Sequence, residues 1–458
     1  MKARTLNMTT GSPLKLLTRF SLPLLIGNLF QQAYNLADSI IVGRLVGANA
    51  LAAVGATASV TFLFFSVSAG IGNGSGIVTS QLFGAGDEDK VKTAISNSAY
   101  LMFGSALIMG LLAFLAAPHV LRFLGTPQEI LPDAVLYMRT SSIGVPLIGV
   151  YNYSSSMQRA LGDSKTPLIF LIVACVLNVF MDLLFVYVFH MGVFGAALAT
   201  VIAQFISGVG CLTYAIRCNP YFKLKREHFA FNRRITWSAV RIGMPLALQW
   251  SLIAVSTTAL QRFVNSFGAS AVAAFTATTR IEQLVQQPYG SLGMALSTYA
   301  GQNFGAGRLD RVRTGLRDSV FAAAAFSAVM LIVMQIFGDE IISAFIREEE
   351  VVRMGARALR LTSCFYFFLG VIYVTRGTLN GIGDALFALI NGVVEMICRI
   401  FLPTLLVLLP GVGVWGIWWT AGLTWLISAV FCCLRYFAWR RKTFGKGGGA
   451  SKTAEGTA

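Results

Sequence analysis

Apolar residues run through this chain in long blocks, broken at fairly even intervals by short charged or glycine-rich stretches. A helix needs roughly 20 apolar residues to cross the hydrocarbon of a bilayer. By that measure the blocks predict twelve transmembrane helices, at 18–41, 51–79, 93–117, 134–156, 166–189, 193–217, 239–263, 271–298, 315–338, 355–378, 386–409 and 413–438. The breaks have the chemistry of turns: glycine and charge at 84–92 and 305–313, Pro118 and Pro127 around another, Pro410-Gly411 after the eleventh. The first block carries Asn28, Gln31, Gln32, Asn35 and Asp38. A cleavable leader would not hold so many polar residues, so the block reads as a polar first span. The predicted fold is an all-α polytopic membrane protein.

Composition narrows the picture. Of 458 residues, 55% are hydrophobic and 12% charged, with a mean hydropathy of +0.68. Soluble domains carry about 25% charged residues. A soluble enzyme, a disordered regulator and a disulfide-stapled secreted domain are thereby excluded. The formal charge of +16 does not point to nucleic acid, because the basic residues sit between apolar runs with no nucleic-acid motif. They serve as a topology signal instead. With the N-terminus in the cytoplasm, 26 of the 36 Lys and Arg residues fall inside and eight outside, while Arg280 and Arg399 lie within spans. That bias predicts an inner-membrane, multi-pass protein with both termini cytoplasmic. The lipid bilayer is then its main surroundings, and nothing in the sequence calls for an oligomer, so a monomer is expected. The seven cysteines lack C-x-x-C spacing and have no nearby histidine, so they read as small buried hydrophobes. His119, His190 and His228 fall at predicted loops or span ends.

The two halves resemble each other at a constant offset of 221 residues. Ser80–Lys92 (SQLFGAGDEDKVK) and Gly301–Arg313 (GQNFGAGRLDRVR) are identical at seven of thirteen positions. In the same register Gly47-Ala48-Asn49-Ala50 matches Gly268-Ala269-Ser270-Ala271, Gly162-Asp163 matches Gly383-Asp384, and GVFG at 192–195 matches GVWG at 413–416. Each half holds six spans, an even number, so both copies enter the membrane in the same direction. This is the parallel-repeat plan of some secondary transporters. The expected domains are an N-lobe (1–217), a basic cytoplasmic linker (218–238), a C-lobe (239–440) and a disordered cytoplasmic tail (441–458).

Acids inside spans cost about 2.5–3.5 kcal/mol at mid-helix on insertion scales, and are functional candidates by default. Asp38 is the first, with Tyr34 at i−4 and Gln31 at i−7 on one face and Asn35 close by. Asp182 is the second, with Asn178 at i−4, and Thr200 on span six lies at comparable depth. Two carboxylates, an amide and a hydroxyl suit a hard cation such as Na⁺. Two acids in close approach would equally hold a proton, so H⁺ stays open beside Na⁺. No other cofactor is implied. The second half lacks this set: at offset 221, Asp38 becomes Ala259, Asn178 Arg399, Asp182 Pro403 and Thr200 Ala421. It has its own ionisable groups, Arg280, Glu282, Glu395 and Arg399, as candidate cavity residues. Glu395 and Arg399, at i and i+4, are expected to pair.

The strings PLLIGNLFQQAYNLADSIIVGR at 23–44, FGAG in both halves, RALGDSKTP at 159–167 and LNVFMD at 177–182 resemble the multidrug and toxic compound extrusion (MATE) transporters. The likeness covers essentially residues 15–440. It implies a secondary active antiporter that exports amphipathic, often cationic small molecules in exchange for Na⁺ or H⁺ by alternating access. In the DinF-like prokaryotic branch the resemblance carries the coupling-cation site to Asp38, Asn178, Asp182 and Thr200. Members with C-lobe coupling acids place them on spans seven, eight and ten; here Glu282 is on span eight, and spans seven and ten hold no acid. Within transport, the alternatives are a lipid-linked oligosaccharide flippase or an exporter of an endogenous metabolite. A membrane-embedded enzyme would need a nucleophile or metal motif, and none is found.

Overall fold

The computed structural model describes residues 5–444, and within them every regular element is helical. In chain order these are α1 (Pro13–Leu45), α2 (Ala48–Gly84), α3 (Glu88–Phe123), α4 (Leu131–Ala160), α5 (Lys165–Asp182), α6 (Gly192–Cys218), α7 (Arg233–Asn265), α8 (Ala269–Gly305), α9 (Leu309–Ser343), α10 (Glu349–Ser363), α11 (Tyr366–Gly381), α12 (Ala385–Val407) and α13 (Gly416–Phe444). The tail expected to be disordered is helical through Phe444, and its remaining residues lie outside those described.

Among the described residues, eight helices are long and apolar enough to cross a membrane by length and composition, and the pair α10–α11 makes a ninth. The remaining three, α1, α4 and α8, have 33, 30 and 37 residues. Polar residues interrupt their apolar runs: Asp38 in α1, Arg139 in α4, Arg280 and Glu282 in α8. Counting these, the chain makes twelve spans.

Three spans depart from the simple helices the pattern predicts, the ninth by a kink at Phe337, where φ −106° and ψ 18° leave the helical range. The tenth is bent by 51° between α10 and α11. Its cause is local. The Gln335 amide of α9 donates to the Arg360 carbonyl at 2.8 Å and to Ser363 Oγ at 3.3 Å. Ser363 Oγ also donates to that carbonyl, at 2.9 Å, so both of its lone pairs are engaged and the Cys364 N–H turns to Leu361 instead. A side chain entering the hydrogen-bond ladder is a recognised origin of kinks. The fifth span passes at Asp182 from α-helix into a π-helical turn, Leu183–Val188, before a break at His190. Such wide turns gather at functional sites.

The chain divides into two compact units. The first comprises Met1–Thr10, Arg19–Leu248 and Gly301–Gly307. Within it α4 packs against α2, α3 and α6, with Ala53, Val60, Ala113, Ala117, Ala134 and Met138 in one buried cluster. The segment between α6 and α7 is pinned to α3: Asn97 Nδ2 donates to the Ala230 carbonyl at 3.0 Å, and Tyr100 to that of Phe229 at 3.0 Å. His228, which falls by sequence at a predicted loop or span end, is buried there, accepting from the Lys225 N–H. The duplicated FGAG motif meets its own copy within this unit. A Cβ on Gly84 would lie 1.8 Å from the Gln302 carbonyl, and one on Gly305 1.8 Å from that of Gln81. The repeat register of 221 is thus a reciprocal backbone contact that any side chain would block.

The second unit comprises Gly11–Thr18, Gln249–Ala300 and Arg308–Ala458. In it α9 packs on α10 and α11, and α13 on α12, α11 and α10. Leu260, Val264, Phe275, Ile417 and Trp418 share a buried cluster, and Trp418 Nε1 donates to Thr278 at 3.2 Å. Cys364 departs from the buried-cysteine expectation: it is exposed at the α10–α11 bend, and all seven cysteines are free thiols.

Candidate functional site

Helices α1, α5 and α6 bring together the four residues that the sequence singled out in the first half. Asn178 and Asp182 stand one turn apart on α5, and both are buried. Thr200 on α6 links the group: Asn178 Nδ2 donates to its Oγ1 at 3.3 Å, and the Tyr34 hydroxyl of α1 lies 3.2 Å from the same atom. Asp38, one turn beyond Tyr34, has its carboxyl beside that of Asp182.

The hydrogen bonding of this group is incomplete in one direction only. Asp38 Oδ1, both carboxyl oxygens of Asp182 and Asn178 Oδ1 are buried with no hydrogen-bond partner among the described residues. All four are acceptors. An unpaired buried acceptor costs about 1–3 kcal/mol, more when charged, and natural interiors leave few of them. A proton or a hard cation supplies what unpaired acceptor oxygens lack, and the donor set fits either one.

Tyr137 of α4 also stands within electrostatic reach of both acids. No pattern in the sequence marks it, since it belongs to a different helix and matches no motif. Two further residues of the sequence set stay apart. Gln31 and Asn35 are exposed, and no hydrogen bond joins their side chains to the four. A shared face along α1 is therefore too coarse a criterion, because the face is wider than the site.

The second unit sorts its four candidates differently. Arg280 is exposed, whereas Glu282, two residues on, is partly buried. Glu282 faces the Thr362 hydroxyl, and its Oε1 has no partner. Glu395 pairs with Arg399 as expected, at 3.7 Å, and also with Arg376 of α11 at 3.4 Å. By sequence Arg376 counted among the cytoplasmic charges. In the structure it lies within α11, its side chain only 13% exposed. The missed signal is that the predicted span ended at 378, so Arg376 was inside it.

Polar, half-satisfied acids on membrane-crossing helices, within a duplicated twelve-span chain, define a membrane carrier. The MatE family model matches residues 23–184 and 245–405, once in each half, and the chain belongs to this family of transporters. A probable multidrug resistance protein YpnP of Bacillus subtilis is 32% identical over 95% of this chain and 97% of its own length. A FAD transporter of Shewanella oneidensis is 26% identical over 91% and 93%. Among solved structures, an outward-facing multidrug resistance MATE transporter superposes with a TM-score of 0.87, covering 96% of this chain and 99% of its own at 23% identity. A MATE structure described as bent gives 0.88 with 96% and 99% coverage.

Proposed function

We propose that this protein is a secondary active efflux antiporter of the inner membrane, exporting amphipathic small molecules in exchange for Na⁺ or H⁺. The coupling ion sits at Asp38, Asn178, Asp182 and Thr200, with Tyr34 and Tyr137 at its edge. Both termini face the cytoplasm, and the residues around Glu282, Glu395 and Arg399 shape the cargo path.

One observation carries this reading: four buried acceptor oxygens from α1 and α5 have no protein donor left for them among the described residues. A cation bound there neutralises adjacent carboxylates that otherwise repel. It can drive transport only by favouring one conformation over another, since equal affinity for both shifts nothing. The π-helical turn directly after Asp182 offers a backbone with alternative hydrogen-bond registers next to that charge.

The test is efflux by purified protein in proteoliposomes under an imposed Na⁺ or H⁺ gradient, against a panel of organic cations and neutral amphiphiles. Export that follows one gradient and collapses with its ionophore is the expected result. Gradient-independent flux, or single-channel conductance, would overturn the antiporter reading.

A further inference from the structure

Arg376 of α11 and Glu395 and Arg399 of α12 form a charged group that lies wholly in the second unit. Their side chains are 13%, 6% and 17% exposed. One carboxylate is shared between two guanidiniums: Oε1 takes Arg376 at 3.4 Å and the Asn391 amide at 3.1 Å, and Oε2 takes Arg399 at 3.7 Å. These pairs are long beside the 2.8 Å of Lys90 and Asp87 at the surface. Neither arginine engages Glu395 through its two-pronged fork, the geometry in which a guanidinium binds a carboxylate best.

Arg399 is aimed by its neighbours. Its Nη1 donates to Ser256 Oγ at 3.1 Å and Thr257 Oγ1 at 3.4 Å. Both hydroxyls send their own protons to the Ile253 carbonyl, so their oxygens are free to accept. Glu282 faces Thr362 and stands within electrostatic reach of Arg399, but makes no ion pair with it among the described residues. At ion-pair range the group therefore carries one positive charge too many. A structural bridge needs only one arginine, and a surplus charge inside a membrane span is costly. Thr257 is exposed on the α7 side, so the group can be reached from there.

We propose that Arg399, with Arg376 behind it, binds an oxyanion of the cargo, a carboxylate or a phosphate. The exported compound is then an amphipathic anion or zwitterion, and not only a cation. This rests on the carrier reading and adds the charge class of its substrate. An oxyanion could also come from a phospholipid headgroup, and the test separates the two sources.

Two xanthene dyes of opposite charge, fluorescein (anion) and rhodamine 6G (cation), are bound to the full chain in phosphatidylcholine nanodiscs and followed by fluorescence polarisation. No ion gradient is present, so a failure of coupling does not affect the outcome. Wild type binds fluorescein. Arg399→Gln weakens this by about tenfold or more, the scale of one charge-assisted hydrogen bond, and leaves rhodamine 6G within about twofold. Arg399→Lys, which keeps the charge but not the fork, falls between. Arg376→Gln provides the same comparison should Arg399→Gln not fold. No fluorescein binding by wild type, equal weakening of both dyes, or no weakening at all overturns the proposal. Competition by phosphatidylglycerol in the nanodisc assigns the site to a lipid headgroup and overturns the cargo assignment.

Discussion

In the first unit, Asp38 and Asp182 stand side by side with three of their four carboxyl oxygens unpaired. In the second, both oxygens of Glu395 are taken, by Arg376, Asn391 and Arg399. The repeat places these two situations on related backbones. At offset 221 Asn178 corresponds to Arg399 and Asp182 to Pro403. An amide whose oxygen lacks a donor has thus become a guanidinium that supplies donors, and the acid below it has become a proline inside α12. Duplication kept the packing register, as the reciprocal Gly84–Gln302 and Gly305–Gln81 contacts show. It did not keep the charge. One unit is short of donors and the other has a surplus.

The largest expected effect tests that division directly. Asp38→Asn and Asp182→Asn should each reduce gradient-driven efflux in proteoliposomes to that of protein-free vesicles, at matched reconstitution. Glu282→Gln should retain most of it. Equal losses for all three would dissolve the distinction between units.

Stability should reverse the order. Glu395→Ala leaves two guanidiniums without their shared counter-charge, at a cost of about 3–5 kcal/mol. Asp182→Asn removes an acid that has no donor and adds an amide that can donate, so it should be neutral or stabilising. Thermal unfolding of the detergent-solubilised proteins measures both. A destabilised Asp182→Asn would mean that this acid already holds the fold together.

These contrasts mark how far the sequence could be read. Hydropathy and the 221-residue repeat are enough for twelve spans, and cost arguments for buried acids are enough for Asp38 and Asp182. Helical spacing also brings Asn178 into register with Asp182 and Glu395 with Arg399. What stayed hidden depends on contacts between helices distant in sequence. Tyr137 reaches the acids from α4, and Arg376 reaches Glu395 from α11. Gln335 opens the α10 ladder from α9. Gln31 and Asn35 show the opposite failure: they share a helix with Asp38, but packing decides what meets what, and it leaves both exposed.

A smaller effect concerns that bend. Gln335→Leu removes two hydrogen bonds to the α10–α11 junction and leaves the Arg360 carbonyl to find the Cys364 N–H again. The loss should be about 1–3 kcal/mol, with α10 and α11 tending toward one straight span. A spin-label pair at residues 353 and 374 would report the change as a longer distance. No change in either readout would show that the bend is imposed by packing, not by the amide.

The smallest expected effect returns to the duplicated loop. Asp87 caps α3, accepting the Lys90 N–H at 3.0 Å; the Lys90 side-chain contact and then that N–H hold its carboxyl below the usual carboxylate range. Its repeat partner Arg308 opens α9 from nearly the same backbone, φ −90° and ψ 67° against −88° and 89°, with no side-chain cap. An Arg308→Asp variant therefore finds a conformation already suited to capping and should gain about 0.5–1 kcal/mol, from the cap and from the favourable charge at the helix start. Asp87→Arg should lose about 1 kcal/mol. Because the folded carboxyl of Asp87 ionises more readily than the unfolded one, its contribution is complete above about pH 4 and is lost as pH falls through the lower folded value. The melting difference between wild type and Asp87→Arg should accordingly be constant from pH 5 to 8 and narrow only in stronger acid. A difference that instead disappeared near pH 7 would assign the effect to another titrating group, and an Arg308→Asp variant without gain would show that α9 begins from its packing alone.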